Sequence, residues 1–158
     1  MTTLKGTRGP LVALMVFFSS SAFAGTITVT SSEQLRNSNG TLRCALWTQG
    51  MGFPGKVENA AKVVTSAIQA NTAVCTFNDV NAGKYAISIL HDENDNKEID
   101  VASYGPPLEG FGTSNNAAPL PTSPPTFEGA VFEYDGTATK LVLEMRYPAQ
   151  GAGGPPGQ

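Results

Sequence analysis

The segment HDENDNKEID, residues 91–100, concentrates groups that can bind a hard cation. It holds the only histidine of the chain and five of its 13 carboxylates. Oxygen donors alternate along the segment: the side chains of Asp92, Asn94, Asn96 and Asp100, and the backbone carbonyl of Glu98. This is the ligand order of the front half of a calcium loop, and Ca²⁺ accepts amide as well as carboxylate oxygens. The spacing therefore predicts a calcium site.

Two positions depart from a complete calcium loop. Lys97 stands where glycine normally makes the sharp turn, and Ser103 stands where a bidentate glutamate normally completes the ligand shell. The flanking residues show strand and coil patterns, so a pair of helices around the loop is not expected. The alternative is a polar turn whose Asn and Asp side chains bond to the loop backbone and need no metal. Both interpretations remain open at the level of sequence.

His91 is a lone histidine at the end of a predicted strand. Calcium does not favour imidazole, so we expect His91 to brace the loop instead of binding the ion. The chain has no G-x-S-x-G or H-E-x-x-H pattern, which would supply a nucleophile or a zinc site. We therefore predict a protein that is not an enzyme. A hydrolase that uses His91 and a loop carboxylate is the alternative.

The first 24 residues have the composition of a secretory signal peptide. Lys5 and Arg8 supply the positive start, residues 11–18 (LVALMVFF) form an apolar run, and Ala22–Ala24 form a small-x-small cleavage site. The apolar run is far shorter than the roughly 20 residues needed to span a bilayer. The sequence predicts export to the periplasm or the medium, with no membrane span after cleavage.

The charge of the chain is acidic and localised. The formal net charge is −3, and six of the 13 carboxylates lie between Asp92 and Glu109. Removal of the predicted signal peptide also removes two of the ten basic residues, and no basic patch is left. This pattern argues against nucleic acid as a partner.

The two cysteines, Cys44 and Cys75, are expected to form a disulfide. An exported protein with an even number of cysteines usually pairs them, and the tight C-x-x-C spacing of redox or metal sites is absent. Both cysteines fall in the apolar phase of an alternating stretch. The bond should therefore lie in the core.

Period-two alternation of apolar and polar residues predicts short strands throughout the chain. The predicted strands cover residues 26–31, 41–47, 73–77, 84–91 and 140–147. Residues 59–68 are ambiguous, with a helix, a strand or irregular structure all possible. The whole pattern favours an all-β fold, an antiparallel β-sandwich of the transthyretin-like or Ig-like type, over residues 25–147. One long functional loop is expected at 92–126, and a disordered Pro/Gly-rich tail at 148–158.

Four motifs between about Leu42 and Tyr147 resemble a bacterial secreted family known as domain of unknown function 2141. They are LRCALW, AGKYAISILHDENDNKEID, GPPLEGFGTSNNA and PPTFEGAVFEYDG. The usual loop of that family is similar to H-D-x-N-G-N-G-x-x-D, and here Asp95 and Lys97 replace its two glycines. The resemblance implies an exported bacterial β-sandwich, but it implies no reaction because the family has no established activity.

The resemblance also joins the acidic loop to the GPPLEGFGTSNN segment as one unit. The possible ligand loop then consists of His91, Glu109, Ser114, Asn115 and Asn116. A second functional interpretation is a metal-free carbohydrate-binding or adhesion module, in which Tyr104 and Phe111 stack on sugar rings. Its partner would be a glycan or a protein of the cell envelope.

Overall fold

The computed structural model describes residues 24–101, 107–120 and 123–148. The predicted signal peptide, apart from Ala24, and the predicted tail, apart from Pro148, lie outside the described residues. Ser103 and Tyr104 also lie outside them. The elements are β1 (Gly25–Ser31), β2 (Thr41–Trp47), β3 (Lys62–Ala67), β4 (Val74–Val80), β5 (Gly83–Asp92), β6 (Gly110–Thr113), α1 (Phe127–Ala130), β7 (Phe132–Tyr134) and β8 (Thr139–Leu143). Short 3-10 turns cover Val57–Asn59 and Ser114–Asn116.

The strands form two sheets, which confirms the predicted all-β sandwich. The small sheet has the order β4-β1-β8, and the large sheet has the order β3-β2-β5-β6, with β7 also paired to β5. Every pairing is antiparallel except that of β1 with β8, which is parallel. The sheets are thus mostly antiparallel, as predicted, with one parallel pair. Two strands at opposite ends of the chain can pair in parallel because no short turn joins them.

The core lies between the two sheets and consists of the predicted apolar phases. On β2, Leu42, Cys44 and Leu46 are buried. Cys44 and Leu46 pair with the buried residues Ile89 and Ile87 of β5. A disulfide joins Cys44 to Cys75 and confirms the predicted pair. Because β2 belongs to the large sheet and β4 to the small one, the bond crosses the core and links the two layers.

The outer face of the large sheet is also partly covered. Trp47 and Ala45 point away from the main core and pack with Phe53 and Ala130 in a second apolar cluster. The indole of Trp47 donates a hydrogen bond to the Ser88 hydroxyl at 3.0 Å. The side chains of β2 therefore alternate between two faces as predicted, but the second face packs against other residues instead of facing water.

Residues 59–68, which the sequence left open, contain strand β3, because Val63, Val64 and Thr65 are β-branched and suit a pleated surface. Two other parts of the chain differ from the sequence expectation. The loop expected over 92–126 is interrupted by β6. The last predicted strand ends at Leu143 instead of 147.

The residues after β8 close the sandwich against β6. Arg146 exchanges two backbone hydrogen bonds with Phe111. A Cβ at Gly112 would lie 2.2 Å from the carbonyl oxygen of Glu144, so only glycine fits this approach.

Candidate functional site

The acidic loop, defined as residues 92–100, begins at the last residue of β5, at one end of the large sheet. Asp92 is fully buried although its side chain is a carboxyl group, and it pairs with Thr41 of β2. Its carboxylate accepts hydrogen bonds from the backbone N–H groups of Asn96 at 3.1 Å and Lys97 at 2.9 Å. Asp92 is thus the anchor around which the loop turns.

Three of the predicted ligands meet beside this anchor. The side-chain amides of Asn94 and Asn96 both donate to the Asp100 carboxylate, at 2.7 and 2.9 Å. Their own oxygens accept backbone N–H groups, from Asn96 and Glu98 respectively. The Glu98 side chain is exposed. The polar groups of the loop therefore bond to one another, and the N–H groups of two carboxamides are the donors to one carboxylate.

Glu109 joins this loop from the start of β6. Its carboxylate is buried and accepts the backbone N–H of Glu93 at 2.9 Å and that of Asp100 at 3.3 Å. Burial raises the pKa of Glu109; the charges of Asp100 and Asp92 add to this effect, while the two backbone bonds oppose it. Glu109 holds the two ends of the loop together.

His91 has both ring nitrogens bonded and is fully buried. Nε2 lies 3.0 Å from the backbone carbonyl of Asn39, which can only accept, so Nε2 carries the proton. Nδ1 then accepts from the Tyr147 hydroxyl at 2.7 Å, and that hydroxyl accepts the backbone N–H of Arg36. The ring braces the base of the loop, and neither nitrogen faces solvent.

Arg36 and Asn37 hold Glu93 and were missed from the sequence. The Arg36 guanidinium donates to the Glu93 carboxylate at 2.7 Å, and the Asn37 amide donates at 2.8 Å. Burial acts to raise the pKa of Glu93, but these two hydrogen bonds and the Arg36 charge outweigh it, so the pKa is lowered. No local pattern signals these partners because they lie more than 50 residues earlier in the chain.

Glu93 and Glu109 should act on acid stability in opposite directions. The folded state binds fewer protons at Glu93 than the unfolded chain does, so its stabilisation is complete above the ordinary glutamate pKa of 4.5 and is lost as the pH falls through the lowered value. Glu93→Gln should flatten the slope of unfolding free energy against pH below 4.5. Glu109 binds its proton more readily in the folded state, so its stabilising contribution is complete below the ordinary pKa of 4.5 and is lost as the pH rises through the raised pKa. Glu109→Gln should therefore make the slope more positive just above pH 4.5.

Urea unfolding at a series of acidic pH values measures both slopes. Glu98→Gln is the control, since the Glu98 side chain is exposed and should leave the slope unchanged. A Glu93→Gln protein with the wild-type slope would contradict the role assigned to Arg36.

Ser114, Asn115 and Asn116 lie at the other end of β6. Gly110 of that strand pairs with His91, whereas Thr113 pairs with Ser88, further back along β5. Each of the three side chains bonds to the main chain of a neighbouring segment: Ser114 to Ala130 and Ile87, Asn115 to Val131, and Asn116 to Glu144. The structure thus brings Glu109 to the acidic loop but places these three residues around α1 and β8.

Asp95 and Lys97 have left-handed backbone conformations, with φ of 58° and 70°. These are the two positions where the resembling loop pattern carries glycine, the residue that adopts this region without a Cβ penalty. Asp95 is compensated in part, since Thr41 donates to its carboxylate at 2.8 Å. For Lys97, no side-chain bond is present among the described residues.

Lys97→Gly should therefore raise the free energy of unfolding by about 0.5–1 kcal/mol. Lys97→Ala is the matched control, because it removes the long side chain but keeps the Cβ, and it should bring no gain. Urea midpoints at constant m-value measure both changes. Equal gains in the two variants would mean that the lysine side chain, and not the backbone conformation, is the source of the cost.

In residues 24–101, 107–120 and 123–148, no three His, Cys, Asp or Glu side chains are grouped as metal ligands would be. The cluster at Asp100 depends instead on two asparagines.

Phe111, one of the two aromatic residues predicted to stack on sugar rings, is half-buried. Among the described elements, no helix has the length and hydropathy needed to cross a bilayer.

The fold and the loop define a β-sandwich with a disulfide across its core and a self-bonded acidic loop at one end. Residues 29–142 match the model of a family described as an uncharacterized protein conserved in bacteria (DUF2141), and the chain belongs to this family. Searches of curated proteins and of solved structures found no match.

Proposed function

We propose that the protein is an exported, non-enzymatic binding or structural module whose acidic loop takes up calcium. The observation that carries the proposal is the meeting of Asn94, Asn96 and Asp100. The amide nitrogens of Asn94 and Asn96 lie 2.7 and 2.9 Å from the Asp100 carboxylate. This supports the proposal because three of the residues that the spacing predicts as ligands lie beside one another.

The donor set suits calcium. Asp92 and Asp100 supply carboxylate oxygens, and Asn94 and Asn96 supply carboxamide oxygens that each use one lone pair on a backbone N–H and keep a second. The Glu98 carbonyl is a fifth donor. A bound ion would take the place of the two asparagine N–H donors beside the Asp100 carboxylate. Because those hydrogen bonds must be given up, we expect weak affinity, with a Kd on the order of 0.1–1 mM.

The environment of His91 supports the non-enzymatic part of the proposal. A general base needs a free ring nitrogen within reach of its substrate. Both nitrogens of His91 are bonded inside the protein, and the ring is buried. The Glu93 and Glu109 carboxylates nearby are held by Arg36 and by backbone N–H groups.

The disulfide supports export, because such bonds persist in oxidising compartments. The predicted signal peptide points the same way. The compartment would be the periplasm or the medium.

Thermal unfolding with 5 mM calcium and with a chelator tests the calcium site. For a Kd of about 0.5 mM, linkage gives about 1.4 kcal/mol and a rise in Tm of roughly 4–8 °C. Asp100→Asn should remove this rise, because it takes away the central carboxylate at nearly constant shape. Glu98→Gln removes one charge as well but leaves the backbone donor, so its rise should match the wild-type value.

Two results would contradict the calcium proposal. One is a wild-type Tm that is the same in calcium and in chelator. The other is a rise that survives Asp100→Asn, which would place the ion elsewhere on the protein. A rise with magnesium of equal size would indicate general charge screening, since Mg²⁺ demands a stricter octahedral shell.

A further inference from the structure

A narrow pocket lies on the outer face of the large sheet, beside the acidic loop. Its floor is a row of cross-strand neighbours, Arg43 on β2, Leu90 on β5 and Phe111 on β6. Val57 and Ile99 contribute apolar walls. The cavity measures about 30 Å³ and opens to solvent, which is room for about two water molecules.

Arg43 is the unusual feature of this pocket. Its side chain keeps only 13% of its exposure, and its Nε is buried without a hydrogen-bond partner. Among the described residues no hydrogen bond from any of its guanidinium nitrogens is present. A buried donor left unpaired is costly and rare in folded proteins.

The nearest opposite charge does not satisfy the guanidinium. Asp92 lies 3.8 Å from Nη1, which is beyond hydrogen-bond distance, and both its carboxylate oxygens already accept backbone N–H groups. The second cation at the pocket, Lys97, is exposed. The pocket therefore combines unused positive donors with apolar walls.

We propose that this pocket binds the carboxylate of a small molecule with an apolar chain. A carboxylate has two oxygens in one plane, which matches both the size of the cavity and the paired donors of a guanidinium edge. The apolar chain would lie at the mouth, against Val57, Ile99 and Phe111. This site uses neither Asn94, Asn96 nor Asp100, and it is tested without calcium.

A single negative charge suits the pocket better than a double one. Asp92 is buried beside the same guanidinium, so a dianion such as phosphate would add like-charge repulsion in a poorly solvated place. Phosphate also has no apolar part to contact the walls.

Octanoate is the probe, titrated in chelator by calorimetry and by amide NMR shifts. We expect a Kd on the order of 0.1–1 mM, with the largest shifts at Leu90, Phe111 and Gly112. Octanol has the same chain without the charge and should bind at least about tenfold more weakly, since a hydrogen bond to a charged group is lost. Inorganic phosphate at the same concentration should not displace octanoate.

Arg43→Gln should weaken octanoate binding by about tenfold or more. Thr65→Glu gives a second test that does not disturb the interior. Thr65 is exposed and pairs directly with Arg43 across β2 and β3. A glutamate at this position would therefore bind the Arg43 guanidinium in place of the ligand. It should reduce binding by a similar factor, whereas Thr65→Gln should not. Lys140→Gln, on the small sheet, controls for net charge.

Four outcomes would overturn the proposal: no saturable octanoate shift up to about 10 mM, octanol as tight as octanoate, displacement by phosphate, or unchanged affinity in both Arg43→Gln and Thr65→Glu. If Arg43→Gln does not fold, the comparison of Thr65→Glu with Thr65→Gln decides alone. All of these measurements are made without calcium, so a failed calcium site leaves them intact.

Discussion

Replacement of both Cys44 and Cys75 by serine should lower the free energy of unfolding by about 3–4 kcal/mol. The bond closes a separation of 31 residues, and the loss of that cross-link releases chain entropy in the unfolded state by this amount. Both cysteines are fully buried between the sheets. The link between the small and large sheets would then depend on packing alone.

Urea unfolding of the double variant measures the loss. Chemical reduction of the wild-type protein is the control and should give a loss of similar size, since it breaks the same bond without a new side chain. Thiol labelling of the unfolded, unreduced wild type should find no free cysteine. Two labelled cysteines would show that the bond does not form in the protein.

Asp92→Ala should be comparably severe, at about 3–5 kcal/mol. The variant leaves the backbone N–H groups of Asn96 and Lys97 without their acceptor. It also removes the carboxylate that lies 3.8 Å from the buried Arg43. Loss of one member of a buried charged pair is costly because the other charge stays desolvated. The matched control is Glu98→Ala, an exposed carboxylate of the same loop, which should cost under about 0.5 kcal/mol.

A double-mutant cycle separates the two causes of this loss. Arg43→Met removes the charge but keeps an apolar body of similar length. If the unpaired Arg43 contributes, Asp92→Ala with Arg43→Met should cost less than the sum of the single changes. All samples are unfolded in chelator, so that calcium plays no part. A loss below about 1 kcal/mol for Asp92→Ala would contradict the anchoring role of this carboxylate.

The two loop positions where the family pattern has glycine show which backbone conformation the loop requires. A loop that curls around Asp92 needs left-handed residues at 95 and 97, and glycine meets that need at no steric cost. This chain keeps the conformation with Asp95 and Lys97, because the backbone bonds to Asp92 hold it. The turn geometry was therefore predictable from the pattern, even though its residues differ.

The sequence by itself determined the β-sandwich, the apolar faces of the strands and the cysteine pair. The first two follow from a local rule, since the side chains of a strand alternate with period two. The cysteine pair follows from the even number of cysteines in a chain with a predicted signal peptide. The sequence also determined that Asp92, Asn94, Asn96 and Asp100 could converge, because they alternate within one short loop.

Only the tertiary structure decided which distant groups complete that end of the sandwich. The register of β6 against β5 brings Glu109 to the loop and places Ser114–Asn116 at the other end of β6, beside the middle of β5, although a few residues separate them in sequence. The bonds of His91 to Asn39 and Tyr147, and the pocket around Arg43, likewise depend on which strands pair. Strand pairing is set by the packing of the whole core, and for that reason no local pattern of residues reveals it.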